Sequence, residues 1–552
     1  MKDKKVLKWL YSGIKPQMPA MIILTIGQMI SSVTGVLFAL ASKGIIDGAQ
    51  SGNREKLITN IIYILGVVLM EVFLRITFQS MQEKITARLD LIFKKKLFSA
   101  ALRKEYGEIT KYHSGELMNR LFNDAGIVVN NAASLVPGII GLVAKIIAAF
   151  AVLAVMDITL AVVLLSAGIV VFFMGRAFRG IMKRLHRQMQ EADGKVRSFM
   201  QEMLSNLLAV KVFDNGNGVG NKAEVLQQNH YSIRMKRRNI SVLSGSVFHF
   251  GFQLAYLYAL IWGAVGIYDK VITYGTLAAA LQLVSQVQQP LLRLSALFPR
   301  YYSMIASAER IMEIEELPEE KAKCVYNAKE LYEKLEGIEF NKISFKYDRG
   351  YLFKDSSLSV KKGEFVAVVG QSGIGKSTLL KMLLGVISPE TGKVSLVTRE
   401  GNIPVDCSTR CIFTYVPQGN MIFSGTVREN ITFVSENVSS ENLERAVRLS
   451  CCDEFVNELP EGLETVIGEK GIGLSEGQLQ RLAIARALVS GAGVLLMDEA
   501  TSALDNETEK KLLSNLKNMK NMTCIFVTHK KAALEICDKY VRIENGEINV
   551  TS

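Results

Sequence analysis

Glycines that free the backbone, followed at once by lysine and serine, are suited to enclosing phosphate oxygens. The chain carries such a run at Gly370-Gln371-Ser372-Gly373-Ile374-Gly375-Lys376-Ser377-Thr378. The glycines let N–H groups converge on an anion, Lys376 has the reach for β- and γ-phosphates, and the Ser377 hydroxyl suits Mg²⁺. Two further positions supply what hydrolysis would need. Asp498-Glu499 follows the apolar run 493–497, and His529 follows 524–528. An aspartate at the C-terminal end of a strand can hold Mg²⁺ directly or through water. Glu499 beside it suits a general base for an attacking water. His529 can touch a γ-phosphate and register its presence. A chance glycine turn does not account for the Lys-Ser pair together with these acids.

The elements that must position these groups are legible around them. Phe365-Val366-Ala367-Val368-Val369 is a buried strand by composition, and 379–383 continues as helix. The phosphate-binding run therefore opens a helix N-terminus, which adds positive potential. From about residue 336 onward short strands alternate with amphipathic helices, the pattern of an α/β domain.

The first 300 or so residues read differently. Six apolar segments, near 19–41, 57–79, 134–155, 158–179, 241–267 and 275–298, each meet the roughly 20 residues that a bilayer crossing needs. Lysine and arginine crowd the N-terminus and the stretches 80–130 and 176–240. Only Met156 and Asp157 join the third and fourth segments, and a short turn at Asp269 and Lys270 joins the last two. The basic stretches are expected on the cytoplasmic side, with both chain ends inside a plasma membrane of bacterial type. Membrane topology explains most of the net charge of +12, so nucleic acid is set aside as a partner. All seven cysteines (324, 407, 411, 451, 452, 524 and 537) fall in the second half without zinc-ligand spacing, as free thiols in a reducing compartment would.

Polar side chains inside the spans are costly in lipid. Gln282, Gln286, Gln289 and Arg293 recur at intervals of 4, 3 and 4, which places all four on one helix face. Lys145 lies mid-span in the third segment, and His249 and Gln253 form an i,i+4 pair in the fifth. The stripe and Lys145 are expected to line a translocation cavity. Hydrogen bonding between helices is the competing reading. Glu71 and Arg75 are expected to form an ion pair with each other.

The second half also carries an ordered motif set. Leu474-Ser475-Glu476-Gly477-Gln478, then Gln480-Arg481 and 483–488, resembles the signature motif of ATP-binding cassette (ABC) proteins. Ser502-Ala503-Leu504-Asp505 resembles their D-loop, and Val416-Pro417-Gln418 followed by 423–431 their Q-loop. Thr465 to Gly471 is similar to the X-loop of exporters, and Phe345-Lys346-Tyr347 to the aromatic A-loop. His113 to Leu121 with Asn123-Asp124, and Ala308-Glu309-Arg310-Ile311, resemble exporter coupling and junction regions. The resemblance implies a six-helix α transmembrane domain of the type 1 exporter fold over 1–320, a linker at 321–335, and an ABC-type P-loop NTPase domain over 336–552.

It further implies ATP and Mg²⁺ as cofactors, with Ser377, Gln418 and Asp498 at the metal, Glu499, His529 and Gln418 catalytic, and Tyr347 stacking on adenine. Ser475, Gly477 and Gln478 would act in trans, and Asp505 would serve the D-loop. ATP closes between two such cassettes, so a second half-transporter, identical or related, is the implied partner. Two departures are visible. Glu476 stands where glycine is commoner, and its side chain is expected to point away. Lys530 stands where arginine is frequent. The reading is an ATP-driven exporter of a small molecule, lipid-like compound or peptide, working by alternating access. An importer on the same fold and one subunit of a heterodimer are the alternatives. Lys145 and Arg293 would favour anionic or peptidic cargo.

Overall fold

The computed structural model describes the chain except residues 1, 321–325, 348–349, 420, 435–437, 469–470, 472, 520–521, 545 and 552, and the side chains of 2–3, 167, 169–179, 183, 289, 291–296, 298 and 551. The chain divides into two compact units, Met1–Ser99 with Ser114–Glu315, and Ala100–His113 with Glu316–Ser552.

The first unit is helical. Each expected apolar segment lies inside one long helix: Met18–Gln50, Arg54–Ala101, Ala125–Met156, Ile158–Ser205, Gly216–Tyr268 and Tyr274–Glu315. Among the described residues, four stretches are long and apolar enough to cross a membrane: Lys4–Gln50, Arg54–Ala101, Ser114–Met156 and Gly216–Tyr268. On Arg54–Ala101 large apolar side chains such as Ile62, Phe73 and Ile76 are exposed along the span, which suits hydrocarbon. The other five long helices supply a core that includes Val36, Ala149, Leu153, Leu160, Ala259 and Leu283. Asp157 separates two of them. Its backbone is extended and its carboxylate accepts from Leu160 N at 2.8 Å, capping the next helix, while Trp262 Nε1 donates to it at 3.2 Å.

The stretches read from sequence as basic loops are largely helical continuations. Residues 80–101 hold no Gly or Pro, so nothing breaks the helix as its composition turns from apolar to charged. Pro137, Pro290 and Pro299 lie inside helices, where neighbouring helices can satisfy the freed backbone groups. At Arg120–Asp124 one turn widens to a π-helix. There the buried Asp124 carboxylate accepts from Arg310 through both oxygens, with Arg310 Nε at 2.8 Å, and from Ser307 Oγ at 2.9 Å. Arg120 donates to the Arg310 carbonyl, to Glu313 and to Glu116. These contacts join the two junction regions that the sequence marked separately.

Among the described residues the second unit holds twelve strands: β1 (Leu335–Tyr347), β2 (Gly350–Lys361), β3 (Phe365–Val369), β4 (Thr391–Thr398), β5 (Gly401–Pro404), β6 (Phe413–Val416), β7 (Gly425–Thr426), β8 (Val466–Ile467), β9 (Val494–Asp498), β10 (Thr523–Val527), β11 (Lys539–Glu544) and β12 (Glu547–Thr551). An antiparallel sheet runs β2-β1-β4-β5, and a second runs β12-β11-β3-β10-β9-β6, parallel except for β12. β3, β9 and β10 are apolar and buried along nearly their whole length, as parallel strands covered on both faces must be. Val527 is in register with Val368 on one side and Asp498 on the other. One sheet edge therefore receives the phosphate-binding run, Asp498-Glu499 and Thr528-His529, the position where ligands bind in open α/β sheets. Residues 100–113 belong to this unit. Lys104 and Glu319 form an antiparallel bridge, and the short helix Tyr106–Ile109 follows.

Candidate functional site: a nucleotide pocket at the sheet edge

The run from Gly370 to Gly375 leaves β3 and turns into helix Lys376–Leu383. Gly375 is the helix N-cap at φ +110°, without a side-chain cap. A Cβ there would sit 3.1 Å from the Phe353 ring, so this position needs glycine for both backbone and space. The first-turn amides are thus left facing the concave side of the loop, which fits an anion. Lys376 is 6% exposed. Its Nζ donates to the carbonyls of Gly370 at 2.6 Å and Gln371 at 3.3 Å, and lies 2.9 Å from His529 Nε2. The structure therefore joins two residues picked out 153 positions apart.

Asp498 is buried and receives the Tyr415 hydroxyl at 3.3 Å. Burial and the Asp498 charge push the Tyr415 phenol well above its ordinary value, so it stays a donor. Glu499 adopts φ +51°, a left-handed geometry that costs a non-glycine residue about 1–3 kcal/mol. Its amide donates to the Val527 carbonyl at 2.9 Å, and its Oε2 accepts from Gln418 Nε2 at 2.8 Å. Gln418 thus holds Glu499 directly. Among the described residues no group of three or more His, Cys, Asp or Glu stands ready for a metal. Ser377 lies in the first turn of helix Lys376–Leu383 and Asp498 ends β9; Mg²⁺ keeps waters and takes phosphate oxygens, so it needs few protein ligands.

Tyr347 ends β1 at the hairpin whose other strand places Leu352 and Phe353 against Gly375. The Tyr347 ring is 48% exposed and meets Phe345 edge-on at 5.0 Å, leaving a face open for stacking.

The signature region forms the N-terminus of helix Glu476–Val489. Ser475 and Gln478 make a reciprocal capping box, with Gln478 N donating to Ser475 Oγ at 3.3 Å and Ser475 N donating to Gln478 Oε1 at 2.8 Å. Glu476 is exposed in the first turn, where a negative side chain suits the helix dipole. Gly477 packs against the D-loop, since a Cβ there would lie 2.9 Å from the Ala503 carbonyl oxygen. Gln480 is a residue whose role sequence reasoning missed. It is buried, and its amide donates to Ser502 Oγ at 2.9 Å while accepting from Ala503 N at 3.0 Å. Its burial on the face turned to the D-loop is a tertiary property with no local signal. Asp505 caps helix Asn506–Lys517, accepting from Glu507 N and Thr508 N. These backbone donors, Thr508 foremost, hold its carboxyl below the usual range. Lys530 is not a bystander: its ammonium donates to the Leu504 carbonyl at 2.8 Å and lies 3.4 Å from the buried Glu509 carboxylate.

Substituting Gly477→Ala is expected to displace the D-loop backbone, because the added methyl meets a carbonyl and not a flexible side chain. The strain is about 1–3 kcal/mol, and a displacement near 1 Å can lower turnover by about 10²-fold. ATP turnover of the purified protein with thermal unfolding in parallel checks this. Parent-like values in both would show that the D-loop does not need this clearance.

In the helical unit the expected polar stripe is split. Gln286 Nε2 donates to the Gly35 carbonyl of a neighbouring helix at 2.6 Å, while its Oε1 is buried and finds no hydrogen-bond partner among the described residues. This much of Gln286 follows the helix-bonding alternative. Gln282 is partly buried, beside the fully buried Leu283. The side chains of Gln289 and Arg293 lie outside the described residues. Lys145 is partly buried and partnered. His249 and Gln253 do meet, at 3.4 Å between ring and amide nitrogens. Glu71 and Arg75 are both exposed, and no ion pair joins them among the described residues: one helical turn brings them near, but nothing packs them together.

Comparison with known proteins agrees with this architecture. The ABC transporter transmembrane region family matches residues 21–291, and the ABC transporter family matches 353–502. An ATP-dependent lipid A-core flippase of Desulfotalea psychrophila is 27% identical, covering 99% of this chain and 96% of that protein. The Escherichia coli alpha-hemolysin translocation ATP-binding protein HlyB is 35% identical over 52% of this chain and 41% of its own length. Among solved structures, a bacterial Atm1-family ABC exporter with ATP bound superimposes with a TM-score of 0.82 at 21% identity, covering 97% of this chain and 95% of that one. The chain belongs to the ATP-binding cassette transporter family, as a multi-pass membrane half-transporter on the exporter fold whose cassette couples ATP hydrolysis to transport.

Proposed function

We propose that two copies of this chain export a lipid-like amphiphile from the cytoplasmic side of a plasma membrane. The observation that carries the ATPase part of this reading is the convergence of Lys376, His529, Asp498, Glu499 and Gln418 on one sheet edge. Here Lys376 and the loop amides bind phosphate, His529 senses its terminal group, and Glu499 accepts the proton of the attacking water. Gln418 orients Glu499. Ser377 and Asp498 would hold Mg²⁺, which when bound neutralises phosphate charge. Tyr347 receives the base. Ser475, Gly477 and Gln478 complete the partner's site. The lipid-like cargo is supported by relatives aligned over almost the whole chain, which are lipid A-core flippases. Gln282, Gln289, Arg293 and Lys145 are assigned to the cavity. In vesicles, a fluorescent anionic lipid should move between leaflets with ATP at least several-fold faster than with the Glu499→Gln variant. Equal rates with parent and variant would remove lipid from the reading.

Two exposed apolar surfaces support the homodimer. Leu208, Val212 and Phe213 project from the short helix Leu207–Val212 and its end. In the other unit, Met421, Phe423, Phe433 and Val466 are exposed, with the two phenylalanines stacked at 4.5 Å and Arg486 over both rings. Docking of one copy's helix on the other's aromatic shelf would cover both. A Phe213→Cys and Phe433→Cys pair in one chain should cross-link to a species of twice the mass under oxidation, and neither single variant should. Only monomer on the gel would refute this contact.

A further inference from the structure

We infer that Arg410 and Glu320 form a positioning pair that ties the acidic end of the ATP site to the two chain segments entering the helical unit. The observation begins at those segments. Helix Arg54–Ala101 and helix Tyr274–Glu315 run directly into residues 102–105 and 316–320. The two segments are laced together. Glu105 N donates to the Pro318 carbonyl and Glu320 N to the Arg103 carbonyl, each at 3.0 Å. The Lys104 ammonium, buried, donates to the Leu317 carbonyl at 2.8 Å and to Glu319 at 3.0 Å. Neither segment can shift far without the other.

Arg410 grips this bridge in the fork geometry that only arginine offers. Its two Nη atoms donate to the Glu320 carboxylate oxygens at 3.1 and 3.0 Å. The same side chain turns to the nucleotide loop from behind. Nε donates to the Leu384 carbonyl at 2.9 Å, and Nη2 lies 3.4 Å from the Gly385 carbonyl. Leu384 is the C-cap of the helix whose first residue is Lys376, so a cation here meets that helix's unsatisfied carbonyls and negative dipole end. A second contact reinforces the arrangement, as the ring of Tyr106, which directly follows the first segment, lies 5.7 Å from Lys381 Nζ on the same helix.

Arg410 also stands at the foot of β6. That strand spans four residues, about 13 Å at the usual rise, and at its far end Tyr415 donates to Asp498 while Gln418 holds Glu499. One short, hydrogen-bonded strand thus has Glu320 and the two laced segments at one end and both candidate hydrolytic acids at the other. A displacement of the acids when nucleotide enters or leaves is carried along β6 to Arg410, then through Glu320 to both segments. The inference rests on the assignment of Asp498 and Glu499 to hydrolysis, which the Glu499→Gln variant tests by itself through ATP turnover.

The test uses the full-length transporter in lipid nanodiscs, comparing the parent with Glu320→Gln, Glu320→Asp and Arg410→Gln. Hydrogen–deuterium exchange is read with and without ATP plus vanadate. The parent should change protection both in the phosphate-binding loop and in the helix ends 90–101 and 306–315. In Glu320→Gln and Arg410→Gln the loop should keep its change and the KM for ATP should stay within twofold, while the change in the helix ends falls by half or more. Glu320→Asp, which keeps the charge, should recover part of it. Helix-end changes equal to the parent's in Glu320→Gln would overturn the inference. So would a joint loss of loop protection, ATP affinity and thermal stability, since that pattern belongs to a merely structural pair.

Discussion

Replacing Glu499 with glutamine is expected to lower ATP turnover by about two to four orders of magnitude, the usual contribution of a positioned general base, while leaving nucleotide binding nearly unchanged. The geometry favours so clean a separation. Glu499 is fixed by its own backbone, through its amide on the Val527 carbonyl and its φ of +51°, and neither depends on the carboxylate. The amide oxygen of a glutamine there can still accept from Gln418 Nε2, which now meets Glu499 Oε2 at 2.8 Å. What disappears is the ability to take a proton. No contact of Lys376 runs through Glu499, so phosphate affinity should survive and a closed, nucleotide-loaded dimer should accumulate. Turnover of the purified protein, with equilibrium binding of labelled ATP alongside, reads both halves of the expectation. Parent-like turnover would remove Glu499 from the role.

The difference between what the sequence disclosed and what it concealed follows from the range of the interactions. The phosphate-binding run was legible because strand, turn and helix are contiguous, and glycine, lysine and serine each have a local reason to be there. Asp498-Glu499 and His529 were legible because a strand's end marks its own edge. The sheet order that aligns them was not, because β10 pairs on one side with β3, whose residues lie 159 positions away, and on the other with β9, whose residues lie 29 away, and nothing local sets either register. The apolar segments located the membrane helices, yet gave no sign that Arg54–Ala101 runs on for 22 residues beyond 79. Hydropathy marks where lipid stops, whereas a helix stops only where a breaker or cap appears. Gln286 shows the limit of periodicity. Its spacing gives a face, but whether that face meets water or Gly35 of another helix is decided by packing. Gln480 and Arg410 stayed silent for the same reason, since each acts on backbone groups brought near by the fold.

Lys376→Ala should weaken ATP binding itself, in contrast to the change at Glu499. The ammonium is held by the loop's own carbonyls, and at 6% exposure it has little water to fall back on. A hydrogen bond to a charged group is worth about 1.5–3 kcal/mol, so affinity should fall roughly 10- to 150-fold. The substitution should also act before any nucleotide arrives. Lys376 Nζ now ties the Gly370 and Gln371 carbonyls and meets His529 Nε2 at 2.9 Å. Alanine releases all three, so the loop should exchange amide hydrogens faster in the nucleotide-free protein, a change that loss of phosphate contact alone would not produce. Lys376→Arg keeps the charge but brings a planar fork that cannot reproduce a single ammonium held among two carbonyls and an imidazole, so it should restore little of the affinity. Equilibrium binding of labelled ATP and hydrogen exchange across 370–376 measure the two effects separately. Unchanged affinity in Lys376→Ala would count against the phosphate role, and unchanged exchange in the free protein would show that the lysine serves ATP alone and not the shape of the loop that receives it.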